Sequence, residues 1–97
     1  MKNKLEATIE NDACKEAKKH GWWGIKLIPK LVRGIPDRMF IGHGRVVFIE
    51  FKRTSRDKPR KAQEAIHRRF ARHGINVHVA WEVNQVMDIL NEAKTRT

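Results

Sequence analysis

Only one cysteine, Cys14, occurs in the 97-residue chain, so an internal disulfide framework is excluded and a reducing setting is expected. No apolar run approaches the roughly 20 residues that a membrane-crossing helix needs. Met1 to Leu5 lead into charge rather than into an apolar h-region, so no secretory signal is expected and a cytoplasmic location is. The five histidines, His20, His43, His67, His73 and His78, form no HxH or HExxH spacing, and there is no CxxC, which argues against a zinc centre. The chain has no GxxxxGK[ST] motif for nucleotide-driven work, and Thr54 and Ser55 stand outside any nucleophile elbow. Internal repeats and low-complexity tracts are also missing. The length suits one domain and is too short for two.

Acidic residues are scarce: 11 Asp and Glu stand against 21 Lys and Arg, for a formal net charge of +10. An excess of that size on a small domain favours a polyanionic partner. A membrane-surface helix would set a basic face against large apolar anchors, and no segment does so. Nucleic acid is therefore the expected partner.

Local patterning predicts α-β-β-β-α-β-α, a small mixed sheet covered by helices. Residues 5–20 read as a helix with a basic last turn, stopped by Gly21. Strand-like runs follow at Gly24 to Ile28, Arg38 to Ile41 and, most strongly, Arg45 to Lys52. Pro59 suits the start of a second helix over about 60–73, ended by Gly74. Val77 to Trp81 reads as a strand, and Asn84 can cap a last helix reaching about Lys94. Residues 29–37, with two prolines and Gly34, read as a loop. Phe70 and Trp81 are expected in the core. Trp22 and Trp23 are open to core packing, base stacking or a dimer patch.

Three local conflicts stand out against this pattern. On the first helix, with about 100° per residue and Ile9 at zero, Leu5, Ala13, Cys14 and Ala17 form the buried arc. Glu6, at about 60°, and Glu10, at about 100°, fall inside that arc, either as structural partners of an arginine or as functional groups. On the strand 45–52, Val46, Phe48, Glu50 and Lys52 share one face, and Val47, Ile49 and Phe51 the other. A carboxylate and an ammonium thus stand at the end of a strand that is otherwise apolar on both faces. An exposed ion pair contributes at most about 1 kcal/mol, and a buried one tends to cost more than it returns. Finally, Asp37 follows Gly34-Ile35-Pro36 just before its strand, and a hairpin between 38–41 and 46–52 would carry it to Glu50. Two carboxylates about 4 Å apart repel by roughly 4 kcal/mol at an effective dielectric near 20, so a proton or cation must intervene. Oxygen-only donors suit Mg²⁺ or Mn²⁺.

The run Gly34-Ile35-Pro36-Asp37, followed after 12 residues by Glu50-Phe51-Lys52 and then by Gln63 on the next helix, resembles the PD-(D/E)XK nuclease superfamily. Within it the pattern resembles the virus-type replication-repair nuclease (VRR-NUC) family, including Glu10 placed 11 residues before Gly21. This resemblance implies one VRR-NUC-like nuclease domain over 1–97, with a restriction-endonuclease-like α/β (mixed α+β) core. It implies a Mg²⁺- or Mn²⁺-dependent DNA endonuclease of phage or bacterial type. Branched, Holliday-junction-like DNA would be its substrate, and a homodimer its working form. Asp37, Glu50 and the Phe51 carbonyl would hold metal, with Glu10 an additional ligand, direct or through water. Lys52 would orient or activate the attacking water or stabilise phosphate charge, and Gln63 would stand beside it. The basic residues Arg53, Arg56, Lys58, Arg60, Lys61, Arg68, Arg69 and Arg72 form the expected phosphate-tracking surface. The alternative is a basic nucleic-acid-binding module without catalysis.

Overall fold

A computed structural model describes residues 4–96 of the chain. Seven elements follow one another: α1 (Lys4–Lys19), β1 (Trp23–Lys26), β2 (Arg38–Gly42), β3 (Arg45–Phe51), α2 (Lys61–Arg72), β4 (Val77–Ala80) and α3 (Val83–Thr95). The order is the one the pattern predicts. The strands form one mixed sheet in the order β1-β2-β3-β4, antiparallel from β1 to β3 and parallel between β3 and β4. A parallel pair needs a crossover, and α2 supplies it.

The β2–β3 hairpin turns at His43 and Gly44, whose φ angles of 53° and 72° are those of a two-residue turn matched to strand twist. His43 also ties this turn to the segment after α1. Its Nε2 lies 2.9 Å from the His20 carbonyl oxygen, and its ring packs against Trp22 at a centroid distance of 5.2 Å.

The two faces of the sheet differ. Phe40, Val47, Ile49 and Phe51 point into a core completed by Ala13 and Ala17 of α1 and by Val86 and Leu90 of α3. Gly24 lies directly across from Phe40, and a methyl group there would meet the Phe40 ring and the Cys14 sulfur. The other face is partly covered by α2, which rests its Phe70 ring edge-on against Phe48 at 5.0 Å and buries none of its own residues fully.

Several details differ from the expectation. Strand β1 ends at Lys26 rather than at Ile28: one further in-register bond, from the Leu27 N–H to the Asp37 carbonyl, follows it before Pro29. Helix α2 begins after Arg60, leaving Pro59 outside it. Helix α3 is capped at Glu82, not Asn84: the Gln85 side chain folds back to accept from the N–H groups of Trp81 and Glu82. Phe70 and Trp81 are half-buried rather than core residues, since α2 and the β4–α3 junction lie at the rim. Leu5 is half exposed at the start of α1. Of the two tryptophans, Trp22 enters the core and Trp23 stays outside.

Candidate active site

At the C-terminal end of strand β3 only Phe51 faces the core, and polar side chains begin on the other face. Glu50 and Lys52 both point to the α2 face, as period-two alternation requires, and both are buried. Pairing continues past the strand, where the Lys52 N–H donates to the Ala80 carbonyl at 2.8 Å, so the lysine backbone is held by β4. Burying an isolated carboxylate and ammonium is costly, and the structure offsets this through Gln63. Gln63 Nε2 donates to Glu50 Oε2 at 2.6 Å, and Lys52 Nζ donates to Gln63 Oε1 at 2.8 Å. The two charges themselves are 3.8 Å apart. The same Oε1 accepts the Arg60 N–H at 2.8 Å, so Gln63 also caps the first turn of α2.

Asp37 arrives from the adjacent strand. Its Oδ2 accepts the Phe51 N–H at 2.7 Å, which turns the carboxylate towards the end of β3. Gly34 makes this approach possible. Its φ is +85°, and any side chain there would strike the Ala62 backbone of α2. The loop carrying Asp37 is thereby seated on the helix that carries Gln63.

Asp37, Glu50, Phe51, Lys52 and Gln63 line one cavity of about 410 Å³, together with Glu6, Lys26, Arg33 and Arg60. The sequence-derived convergence of Asp37 with Glu50 and Lys52 is thus present as a shared cavity. The two acids of α1 divide. Glu6 lines the cavity, whereas Glu10 is buried behind it, its Oε2 accepting from Arg38 Nε at 2.5 Å and lying 3.7 Å from Lys26 Nζ. Arg38 also donates to the Gly24 carbonyl at 3.0 Å and so ties α1, β1 and β2 together.

Lys26, Arg33 and Arg38 are the residues that sequence reasoning did not single out. An arginine partner for an inward-facing glutamate was one of the open readings, but its identity depends on strand register, which brings Arg38 opposite Lys26. The eight basic residues expected on a phosphate-tracking surface are all exposed, and Arg53 makes an ion pair with Asp57 at 3.7 Å.

His67, on α2, borders this site. Burial lowers its pKa first, and the nearby Lys52 ammonium lowers it further against an opposing contribution from Glu64. Its Nε2 is buried without a hydrogen-bond partner among the described residues, consistent with a neutral ring.

Among the described residues no three His, Cys, Asp or Glu side chains cluster closely enough to form a metal cage. The cavity is lined instead by the carboxylate residues Glu6, Asp37 and Glu50, with Phe51 beside them. That is the sparse all-oxygen arrangement in which Mg²⁺ keeps several waters and takes the remaining ligands from substrate phosphates. The residues fit such an ion.

The comparisons with known proteins agree with this arrangement. The fold matches a solved structure titled "VRR_NUC domain" with a TM-score of 0.81 and 28% identity, over 92% of this chain and 97% of that one. No protein-family model and no curated protein matches the sequence. The structural likeness is consistent with a restriction-endonuclease-like fold and points to a nuclease of the PD-(D/E)XK type. Within that class it supports the VRR-NUC family. Among the described residues no helix is long and apolar enough to cross a membrane.

Proposed function

We propose that the chain is a divalent-metal-dependent DNA endonuclease of phage or bacterial type, acting in the cytoplasm on branched DNA as a homodimer. One observation carries this reading: Asp37, Glu50, Lys52 and Gln63 line the same cavity in a chain of net charge +10. A protein that only binds phosphate gains nothing from carboxylates in its binding surface, because they repel the ligand unless a cation intervenes.

Asp37, Glu50 and the Phe51 carbonyl would hold Mg²⁺ or Mn²⁺, which would supply charge neutralisation and an activated water for phosphodiester hydrolysis. Glu10, buried behind the cavity beside Lys26, would contribute only through water. Lys52 keeps one N–H on Gln63 and directs its remaining donors to the scissile phosphate and the attacking water. Gln63 fixes the ammonium relative to Glu50. The exposed arginines and lysines of 53–72 track flanking phosphates, so strand geometry is read rather than base sequence.

Cleavage assays on four-way, flap and linear duplex DNA, with Mg²⁺, Mn²⁺ or chelator, test the proposal. Metal-dependent products that favour branched substrates, lost in Asp37→Asn and Lys52→Ala, are expected. Salt-dependent binding without cleavage under any metal would instead assign the chain to non-catalytic binding modules.

A further inference from the structure

The segment 27–37, which joins β1 to β2, forms one wall of the candidate active site: Leu27, Pro29, Arg33, Gly34 and Ile35 line the cavity with Asp37. Both ends of this loop are held. The Leu27 N–H donates to the Asp37 carbonyl at 3.0 Å, and Gly34 packs against the Ala62 backbone of α2. Its tip is not drawn in. Ile28 is 71% exposed, Leu31 94% and Val32 46%, and Leu31 is the most exposed large apolar side chain among the described residues. Single exposed apolar residues are ordinary, but three so close together at the rim of a polar cavity make a concentrated patch. Cations are interleaved with them. From Lys26 to Arg33 the chain reads KLIPKLVR, which holds Lys26, Lys30 and Arg33 and no acid.

We infer that this loop is a wedge for nucleic acid: Leu31 and Ile28 set against the bases of an opened base step, with Lys30 and Arg33 on the flanking phosphates. The inference rests on the DNA reading above and deepens it by naming the element that senses a branch or another unstacked point. Position selects this occupant. A strand whose phosphodiester lies at Asp37 and Glu50 must pass the wall that contains Pro29 and Arg33, and Leu31 stands two residues from each. Two residues of chain span at most about 7 Å, or about two nucleotides at roughly 3.4 Å per step. Leu31 therefore meets bases close to the bond to be cut. Charge selects it too, since the cations attract phosphate, whereas a second chain of net charge +10 presenting the same loop would be repelled. Pro29 restricts the backbone beside Ile28, so little freedom is lost when the tip inserts. An intact duplex must be unstacked before an aliphatic side chain can enter, while a branch point or mismatch presents base faces at lower cost. The loop thus converts strand geometry into affinity without reading base sequence.

Fluorescence of 2-aminopurine tests this, with the analogue placed beside the crossover of a four-way junction and, for comparison, within a linear duplex. Titrations use the full chain in chelator, so that no strand is cut. On the junction the wild type is expected to raise the emission as the base unstacks, Leu31→Ser to lose the rise and Leu31→Met to keep it. Affinity for junction relative to duplex should fall by about tenfold in Leu31→Ser, in line with the loss of one buried leucine side chain. Arg33→Gln should instead weaken binding to junction and duplex alike and lower the salt slope by about one. Leu31 and Arg33 are exposed, so each variant should keep the wild-type circular dichroism, and this control accompanies every measurement. Wild-type emission and a wild-type junction-to-duplex ratio in Leu31→Ser overturn the inference, and metal-dependent cleavage by the same protein would leave the nuclease reading standing. Altered sedimentation of the free Leu31→Ser chain with unchanged DNA binding would assign the loop to a protein contact and overturn it too. A wild type that binds no DNA overturns both readings. A wild type that unstacks the junction base but cuts no strand with Mg²⁺ or Mn²⁺ supports the wedge and counts against the nuclease reading alone.

Discussion

Asp37 Oδ2 accepts a 2.7 Å hydrogen bond from the backbone N–H of Phe51, joining the loop before β2 to the last residue of β3. The bond aligns the carboxylate with the strand end where Glu50 and Lys52 stand. Asp37→Asn keeps an oxygen acceptor of the same shape but removes the negative charge. Stability should therefore change by no more than about 1 kcal/mol, while Mg²⁺- or Mn²⁺-supported cleavage falls by about a hundredfold or more. Calorimetric titration with Mn²⁺ should show weakened binding. Wild-type metal affinity in the variant would remove Asp37 from the ligand set.

Gln63 bonds Glu50, Lys52 and the Arg60 N–H with one amide. Gln63→Leu preserves bulk and removes all three bonds. A loss of about 1–3 kcal/mol in denaturant unfolding is expected, because polar groups in a half-buried site lose their partner. The turnover rate should drop by about tenfold or more while KM changes little, since Lys52 is misplaced rather than removed. An equal effect on KM and turnover would point to substrate contact instead of positioning.

Much of this site was legible because its residues violate local patterning. Glu50 and Lys52 break an apolar strand, and Glu6 and Glu10 break an apolar helix face, so each was visible as a conflict before any coordinates. The order of elements was legible for the complementary reason, since β-branched runs, glycine stops and basic last turns agree with one another. Pairwise identity was less legible. Helical angle places both Glu6 and Glu10 on the inward side, but which one reaches the cavity depends on how α1 crosses the sheet and on Arg38 engaging Glu10. The half-buried state of Phe70 and Trp81 was hidden in the same way, because residue type reports the tendency to be covered and not whether a second helix is present to do so.

Gly34 places a positive φ and an absent side chain against the α2 backbone. Gly34→Ala incurs both the left-handed backbone cost and a clash with Ala62 that rigid helix backbone cannot relieve. Thermal unfolding should show a loss of more than about 1 kcal/mol, and cleavage should fall further than stability accounts for, because the Asp37 loop lifts from the helix. A variant with wild-type stability and rate would mean that the loop reseats without cost.

Glu10 is 2% exposed, and Arg38 is its closest cation. Arg38→Met retains an apolar stem but withdraws that charge from a buried carboxylate. Destabilisation of about 3–5 kcal/mol is expected, reduced to the extent that Lys26 compensates. The double variant Arg38→Met with Glu10→Gln should recover part of the loss, since the buried charge goes with its partner. Additive losses in the double-mutant cycle would show that the pair is not energetically coupled.

His78 gives the fold a pH dependence of definite sign. Its pKa is lowered from the ordinary 6.5, first by burial on β4 and then by Arg96, with Glu92 opposing. A histidine whose folded pKa lies below its unfolded value binds fewer protons when folded, so the unfolded chain takes up the excess as pH drops below about 6.5. Stability from this group is fully present above that value and is lost as pH falls towards the folded pKa. His67 adds in the same direction. Thermal midpoints should therefore decline between pH 7 and 5.5, before most carboxylates titrate. His78→Gln should flatten part of that slope, leaving the share due to His67. An unchanged slope in the variant would show that His78 reaches water in the folded chain as readily as in the unfolded one.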